Sequence, residues 1–279
     1  MSKIIINFCP TGMVPTKDMT PHVPISPSEI IEQTHEAYEV GITIAHLHAR
    51  EKDGIPTYKS SIYQEIFEGV RKHCPDLVIC GSSSGRNFPE FEKRSELLEL
   101  QPDMCSLTLS SLNFLKQASV NSPDIIIGLA NKMKENGVIP ELECFDLGMI
   151  NFGKYLIQKE IIEGPYYWNL LFGNIAGFQA KLSHVATALQ EIPSDHYVSL
   201  AGLGKYQLSI NSMAISQGLG VRVGLEDNIW WNRAKDQKAT NIQLVKRVHE
   251  LIKLNQKTFM EPKEFGRLGF YNTLKQVEF

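Results

Sequence analysis

Residues 42–48 read Ile-Thr-Ile-Ala-His-Leu-His, a short apolar run that is typical of a β-strand and ends on two histidines. The stretch before it opens with Ser26-Pro27-Ser28-Glu29, which supplies a capping serine, a proline at the first helical position and an acidic first turn. Apolar residues then recur at helical spacing. This pairing of a helix with a strand decides the fold, because it recurs along the chain.

The same pattern extends outward in both directions from residues 42–48. Strand-like runs occupy residues 4–9, 42–48, 77–81, 104–109, 139–145, 167–172, 197–201 and 220–225. Amphipathic stretches separate them, beginning at residue 26 and then covering 63–72, 90–100, 123–136, 151–163, 177–190, 206–217 and 241–254. The chain therefore contains eight βα units.

Eight βα units in about 250 residues have the usual size of a (βα)8 TIM barrel, an α/β fold. The alternative is an open doubly wound sheet, but no G-x-G-x-x-G follows the first strand. No linker rich in Pro, Gly or Ser divides the chain. We expect a single TIM-barrel domain over residues 1–279, with the barrel at about 3–255. The remaining C-terminal extension, about 256–279, is either an extra helix or an arm on a neighbouring subunit.

Composition argues against nucleic-acid-binding, membrane and secreted proteins. The 28 Lys and Arg and 31 Asp and Glu give a net charge of −3, whereas nucleic-acid binding usually needs a basic face. No apolar run approaches the roughly 20 residues that span a bilayer, and no signal-peptide pattern follows Met1. The five widely spaced cysteines are typical of reduced thiols. We expect a cytoplasmic protein whose partners are small molecules.

Polar residues at the carboxyl ends of the predicted strands are the candidate site, because parallel barrels carry their chemistry there. His46 and His48 share one face of a strand, as two ligands of one metal would. Glu226 follows the eighth strand and completes a His, His, Glu set that favours zinc over magnesium, with manganese and iron as alternatives. Taken alone, the histidines are also compatible with satisfied polar residues, and the Glu226-Asp227 pair with a helix cap.

Other strand ends carry weaker signals. Glu141 and Glu143 share a face of the fifth strand, where a carboxylate needs a metal, an arginine or a substrate as partner; ordinary internal ion pairs are the alternative. Residues 81–86 resemble an anion cradle without Walker spacing. The remaining polar strand ends are Ser106, Thr108 and, beside two glycines, Lys205.

Taken together and in order, these motifs resemble the β-keto acid cleavage enzyme family, whose founding activity is 3-keto-5-aminohexanoate cleavage. The resemblance runs from about residue 3 to about residue 250 and rests on Ile6-Asn7-x-x-Pro10-Thr11-Gly12, His46-Leu47-His48-Ala49-Arg50, Ser84-Gly85-Arg86, Glu141-x-Glu143-x-Phe145-Asp146 and Arg222-Val223-Gly224-x-Glu226-Asp227-Asn228. It implies a (βα)8 barrel, one zinc ion (Zn2+) per subunit and a homotetramer. It also implies condensation of a β-keto acid with acetyl-CoA to give acetoacetate and a new acyl-CoA.

The resemblance also implies residue roles. Zinc would be held by His46, His48 and Glu226, while Asp227, paired with Arg222, would be the base. The further residues are Glu143 as the catalytic or orienting carboxylate within the Glu141-Leu142-Glu143 motif, Ser82, Ser106 and Thr108 as substrate-binding hydroxyls, and Arg86 and Lys205 as candidates for the phosphates of coenzyme A. The stretch Gly12-Met13-Val14-Pro15 has no acid to meet an ammonium group, so an apolar or neutral β-keto acid is expected.

Two rival functions stay open. A metal-dependent hydrolase or aldolase on the same barrel uses H-x-H with a distant carboxylate too. Amidohydrolases usually add a bridging lysine, for which Lys205 is a poor substitute. The other rival is a barrel without activity that acts as a binding protein. A Ser/His/Asp hydrolase is disfavoured because the chain has no G-x-S-x-G elbow.

Overall fold

Eight parallel strands close into a barrel in the computed structural model, which describes residues 3–275. Each strand pairs with the strands before and after it in the chain, and the last pairs with the first. The barrel strands are β1 (Ile6–Phe8), β2 (Ile44–Leu47), β3 (Val78–Gly81), β4 (Met104–Thr108), β5 (Ile139–Cys144), β6 (Tyr167–Phe172), β7 (Tyr197–Gly202) and β8 (Gly220–Val223). The predicted α/β class and TIM barrel are confirmed.

Helices cover the outside of the barrel, and none of those described within residues 3–275 has both the length and the apolar character needed to cross a membrane. The eight that follow barrel strands are α1 (Pro27–Val40), α2 (Ser60–His73), α3 (Phe91–Ser95), α4 (Pro123–Glu135), α5 (Leu147–Gln158), α6 (Leu182–Gln190), α7 (Gln207–Gln217) and α8 (Asn241–Leu254). A 3-10 segment, Glu96–Leu100, continues α3.

Two helix starts differ by four or more residues from the sequence prediction. Helix α5 begins at Leu147, before the expected residue 151, because the Asp146 side chain accepts from the Met149 amide at 2.9 Å and caps it. Helix α6 begins at Leu182, after the expected residue 177. The intervening chain is a loop because the Phe178 amide donates to the carbonyl of Phe145 at 2.6 Å.

Side chains inside the barrel form two layers, because alternate residues of each strand face the axis. The layer nearer the amino ends of the strands, here called the lower layer, is apolar and consists of Ile5, Ile44, Val78, Met104, Ile139, Tyr167 and Tyr197. The upper layer, one alternation closer to the carboxyl ends, is polar and consists of Asn7, His46, Cys80, Ser106, Glu141, Asn169 and Arg222. Residues between these positions face outward and pack under the helices.

The C-terminal segment closes the barrel at the lower layer. Thr258–Phe259 pairs in parallel with Lys3–Ile4, and a short helix, Pro262–Phe265, follows. Phe265 and Phe270 stack with centroids 4.0 Å apart, and both meet the Tyr167 ring edge-on. Of the two alternatives left by the sequence, the described part of the segment forms a short helix on its own barrel. Phe279, another aromatic residue of this segment, lies outside the described residues.

Candidate active site

A cavity of about 250 Å3 opens at the carboxyl ends of the strands. It brings together side chains from all eight strand ends or the loops after them, although these residues are far apart in the chain. The predicted site residues that line it are His46, His48, Ser82, Arg86, Thr108, Glu143, Arg222, Glu226 and Asp227.

Three predicted residues lie elsewhere. Glu141 is fully buried in the upper layer, beneath the cavity. Ser106 is also buried in the upper layer, where its hydroxyl accepts from the Ser83 amide at 3.2 Å. Lys205 lines a neighbouring cavity. Glu141 and Ser106 therefore do not line the cavity.

His46, His48 and Glu226 form the candidate metal centre. The two Nε2 atoms are 3.2 Å apart, and His48 Nε2 is 3.2 Å from Glu226 Oε1. Glu226 Oε2 is buried and has no hydrogen-bond partner within residues 3–275. Facing imidazole nitrogens beside an orphaned carboxylate oxygen are the donor set that zinc takes in proteins, so the residues fit a divalent ion.

Close contact between the ends of β1 and β8 carries Glu226 to this position. The Glu226 amide donates to the carbonyl of Cys9 at 3.2 Å. Gly12 has φ +65°, and a Cβ there would lie 2.3 Å from Glu226 Cγ. Glycine is therefore required at this position both for its backbone conformation and for the space that the glutamate occupies.

Glu141 orients His46 from below. One carboxylate oxygen lies 2.6 Å from His46 Nδ1, and the other accepts from Asn7 at 2.6 Å and from Asn169 at 3.0 Å. Burial by itself raises the pKa of Glu141, but His46 and Arg222 lower it to about 2. A carboxylate on Nδ1 holds that nitrogen protonated and leaves Nε2 as the ligand atom.

Sequence reasoning missed the other members of this network. Cys80 donates from its thiol to Glu141 at 3.3 Å, and with His46 and Glu141 it forms a second compact trio. Asn7 stands in a quoted motif but without a role, and Asn169 stands in none. The strand alternation that identified His46 would have placed all three inside the barrel. The alternation does not indicate which of the buried side chains contact one another.

Arg222 holds three carboxylates on one buried guanidinium. Its Nε donates to Asp227 at 3.0 Å, Nη1 to Glu143 at 3.2 Å and Nη2 to Glu226 at 2.6 Å. Burial lowers the pKa of an arginine, but Asp227 and the other acids raise that of Arg222 well above its usual value. The three ion pairs offset a desolvation penalty that an unpaired buried charge would leave uncompensated.

The acids around Arg222 differ in their proton affinity. Burial raises the pKa of Asp227 above its usual value, although Arg222 opposes the shift. The pKa of Glu226 lies well below its usual value because Arg222 and His48 outweigh burial. Glu143, whose pKa burial raises, also accepts from the Thr108 hydroxyl at 3.0 Å. Asp227 is thus a stronger base than an ordinary aspartate, which suits proton abstraction from carbon.

The rest of the cavity wall is mostly apolar. The loop after β1 contributes Met13 and Val14, so no acid of the Gly12–Pro15 stretch faces the cavity. Leu112 and Phe114 come from a hairpin after β4, in which Leu112–Asn113 pairs with Ala118–Ser119. Arg86 lies against this hairpin, with its guanidinium carbon 3.6 Å from the centre of the Phe114 ring.

The chain is similar to known proteins over nearly its whole length. The family model described as beta-keto acid cleavage enzyme matches residues 3–268. The 3-keto-5-aminohexanoate cleavage enzyme of Acetoanaerobium sticklandii is 33% identical over 268 residues, which cover 96% of this chain and 94% of that protein. The 3-oxoadipate:acetyl-CoA acetyltransferase of Cupriavidus necator is 35% identical over 228 residues, covering 81% and 80%.

Among solved structures, the apo form of ObcA superposes with a TM-score of 0.78 at 18% identity. The match covers 90% of this chain and 66% of that longer chain. At this identity the likeness supports the fold alone.

Proposed function

Because this chain belongs to the β-keto acid cleavage enzyme family, we propose that it is an acetyl-CoA-dependent acyl-transfer enzyme acting on a β-keto acid. The products are acetoacetate and a new acyl-CoA. The observation that carries the proposal is the cluster at the barrel mouth, where Asp227, Arg222 and Glu143 stand beside His46, His48 and Glu226.

The reaction balances as an exchange of acyl groups on one carbon. Asp227 removes a proton from C2 of the β-keto acid, and that carbon attacks the thioester carbonyl of acetyl-CoA. The coenzyme A thiolate, released from acetyl-CoA in that step, then attacks the original keto carbon of the substrate. Cleavage of the C2–C3 bond yields the new acyl-CoA, and C2, now bearing the acetyl group, recovers its proton as acetoacetate.

Each residue of the cluster has a physical task in this scheme. Arg222 donates to Asp227 Oδ2 at 3.0 Å, which orients the base. Ser82 presents a hydroxyl group to the cavity, where a preorganised donor stabilises developing oxyanions. Thr108 also lines the cavity, and its hydroxyl donates to Glu143 and orients that carboxylate. The chemistry that a zinc ion held by His46, His48 and Glu226 supplies when bound is Lewis-acid stabilisation of negative charge on oxygen.

A second cavity, of about 330 Å3, adjoins the first and is the proposed entry for the nucleotide end of acetyl-CoA. Neighbouring residues line the two cavities, since Asp227 lines the first and Asn228 the second. Lys205, Arg247 and Trp231 also line the second cavity, with the Arg247 guanidinium carbon 4.5 Å from the Trp231 ring. Cations beside indole rings suit phosphates and a purine base.

The test is product analysis by mass spectrometry after metal-loaded protein is incubated with acetyl-CoA and a panel of β-keto acids. Acetoacetate and the matching acyl-CoA are expected from at least one acid, and from none with Asp227→Asn. No acetoacetate from any acid would overturn the proposal. Consumption of substrate without acetyl-CoA would favour the hydrolase or aldolase instead, and metal-free, inactive protein would favour the binding protein.

Three further expectations stay predictions. Metal analysis of the purified protein should find one zinc per subunit, and none in His46→Ala. Light scattering after size-exclusion chromatography should give the mass of a homotetramer. Fractionation of cells should place the protein in the cytoplasm.

A further inference from the structure

Arg86 is half-buried and differs from the three buried arginines in having no partner for its guanidinium group within residues 3–275. Arg50 donates to three carbonyl groups, and Arg94 donates to the carbonyl of Ser83 and to Asn121. The Arg86 side chain makes no hydrogen bond or ion pair within residues 3–275, and its Nε is buried without a partner. The protein therefore supplies no acceptor for the buried Nε of Arg86 within residues 3–275.

The guanidinium is nonetheless held in place. It lies on the Phe114 ring, which meets the Phe145 ring edge-on with centroids 5.6 Å apart. The side-chain amide of Gln117 donates to the Arg86 carbonyl at 3.1 Å and ties the hairpin to this loop. Stacking on an aromatic face leaves the in-plane N–H fork of an arginine free for a planar anion such as a carboxylate.

The charge is partly desolvated by its surroundings. Burial lowers the pKa of Arg86, although Glu226, Glu143 and Asp227 oppose the shift across the same cavity. All three acids already pair with Arg222. The distances are 2.6 Å for Glu226, 3.0 Å for Asp227 and 3.2 Å for Glu143. The anion that completes Arg86 must therefore come with the ligand.

The phosphates of acetyl-CoA are too far from the thioester to be that anion. The pantetheine arm between them is as long as about four extended residues, or roughly 14 Å. Arg86 instead shares a cavity of about 250 Å3 with the catalytic carboxylates. A second charge on the acid substrate fits this volume, whereas the arm and its phosphate do not.

We propose that Arg86 binds the distal carboxylate of a short β-keto dicarboxylic acid, which makes a diacid the substrate of this site. The inference rests on the proposed function. It agrees with the absence of an acid in the Gly12–Pro15 stretch, which already disfavours an ammonium-bearing substrate. It also separates the two cations of the sequence analysis, because Lys205 alone then stays a candidate for the nucleotide.

The test compares 3-oxoadipate with 3-oxohexanoate, a chain of equal length that ends in a methyl group. Metal-loaded wild-type enzyme should favour the diacid in kcat/KM by roughly 10- to 100-fold, the range of a charge-assisted hydrogen bond. Arg86→Gln should remove this preference by raising KM for the diacid, with KM for acetyl-CoA unchanged. Arg86→Lys should restore part of it. Lys116→Gln, which removes an exposed charge from the same hairpin, should leave it unchanged.

Three results would overturn the inference. The first is an equal rise in KM for both acids in Arg86→Gln, and the second is a rise in its KM for acetyl-CoA instead. The third is a wild-type enzyme that shows no preference between the two acids. If neither acid reacts, the proposed function fails separately. Calorimetry with glutarate and butyrate on metal-loaded protein then decides the inference, since only the dicarboxylate should bind, and only when Arg86 is present.

Discussion

The lower and upper layers of the barrel interior lie one strand alternation apart and have opposite chemistry. The lower layer is apolar and is closed by the stacked rings of Phe265 and Phe270. The upper layer carries buried charges, each held by a partner, such as Glu141 on His46 and Arg222 on three acids. Stability and chemistry are therefore separated along the strand axis, and substitutions in each layer should affect different measurements.

The largest effect should come from the cavity above the upper layer. Asp227→Asn keeps the volume of the side chain but removes the base, so kcat should fall by about 10²–10⁴-fold. Zinc content and the unfolding temperature should stay near those of the wild type. Enzyme assays, metal analysis and thermal unfolding check the three quantities, with the exposed Asp195→Asn as control. Near-normal turnover would show that Asp227 is not the base.

Phe270→Ala, at the closure of the lower layer, should show the opposite pattern. Stability should fall, whereas turnover should not. The ring is fully buried between Phe265 and the edge of Tyr197, so its loss should cost about 3–5 kcal/mol of unfolding free energy. The kcat of the folded enzyme should change little. Denaturant titration and assays measure both, with half-exposed Leu268→Ala in the same turn as control. A variant that loses activity while keeping its stability would contradict the separation of the two layers.

Glu141→Gln should reveal how far the upper layer supports the cavity. The amide group would face the donors of Asn7 and Asn169. The negative charge that Glu141 places 2.6 Å from His46 Nδ1 would be lost. Metal affinity should fall by about 10–100-fold, the usual effect of losing such a carboxylate. Competition with a chelator measures it. Asn169→Ala, which removes one donor to Glu141, should give a smaller loss in the same assay, and an unchanged affinity in both would refute the role.

The smallest effect is expected outside both layers, at the start of α1. Glu29 accepts from the Ile25 and Ser26 amides and pairs with Lys17, which lowers its pKa to about 2 although burial opposes the shift. Because this pKa is lowered, the stabilisation is complete above the ordinary pKa of 4.5 and is lost as pH falls toward about 2.

Glu29→Gln should therefore cost about 0.5–1 kcal/mol of unfolding free energy near neutral pH, since 38% of the side chain is exposed and water weakens its interactions. The difference from the wild type should shrink as pH falls below about 4.5. Denaturant titrations at several pH values measure it, with kcat as the quantity that should not change. A difference independent of pH would exclude an electrostatic origin.

Much of the candidate site was accessible from the sequence because strands are regular. The alternation in β2 puts His46 and His48 on one face, and the pairing of β1 with both β2 and β8 brings Glu226 toward them. Buried partners such as Asn169 were missed for the opposite reason. A polar residue inside a strand looks the same in sequence whether its partner is water, a carboxylate or a backbone group.

The sequence by itself determined the eight βα units and the side of the barrel that carries the chemistry, because both follow from local periodicity and chain order. Only the tertiary structure decided which charges are satisfied. Arg222 and Arg86 are indistinguishable as letters, yet the first meets three carboxylates and the second meets none within residues 3–275. The balance of desolvation against pairing depends on distances between distant segments, and these distances exist only once the barrel has closed.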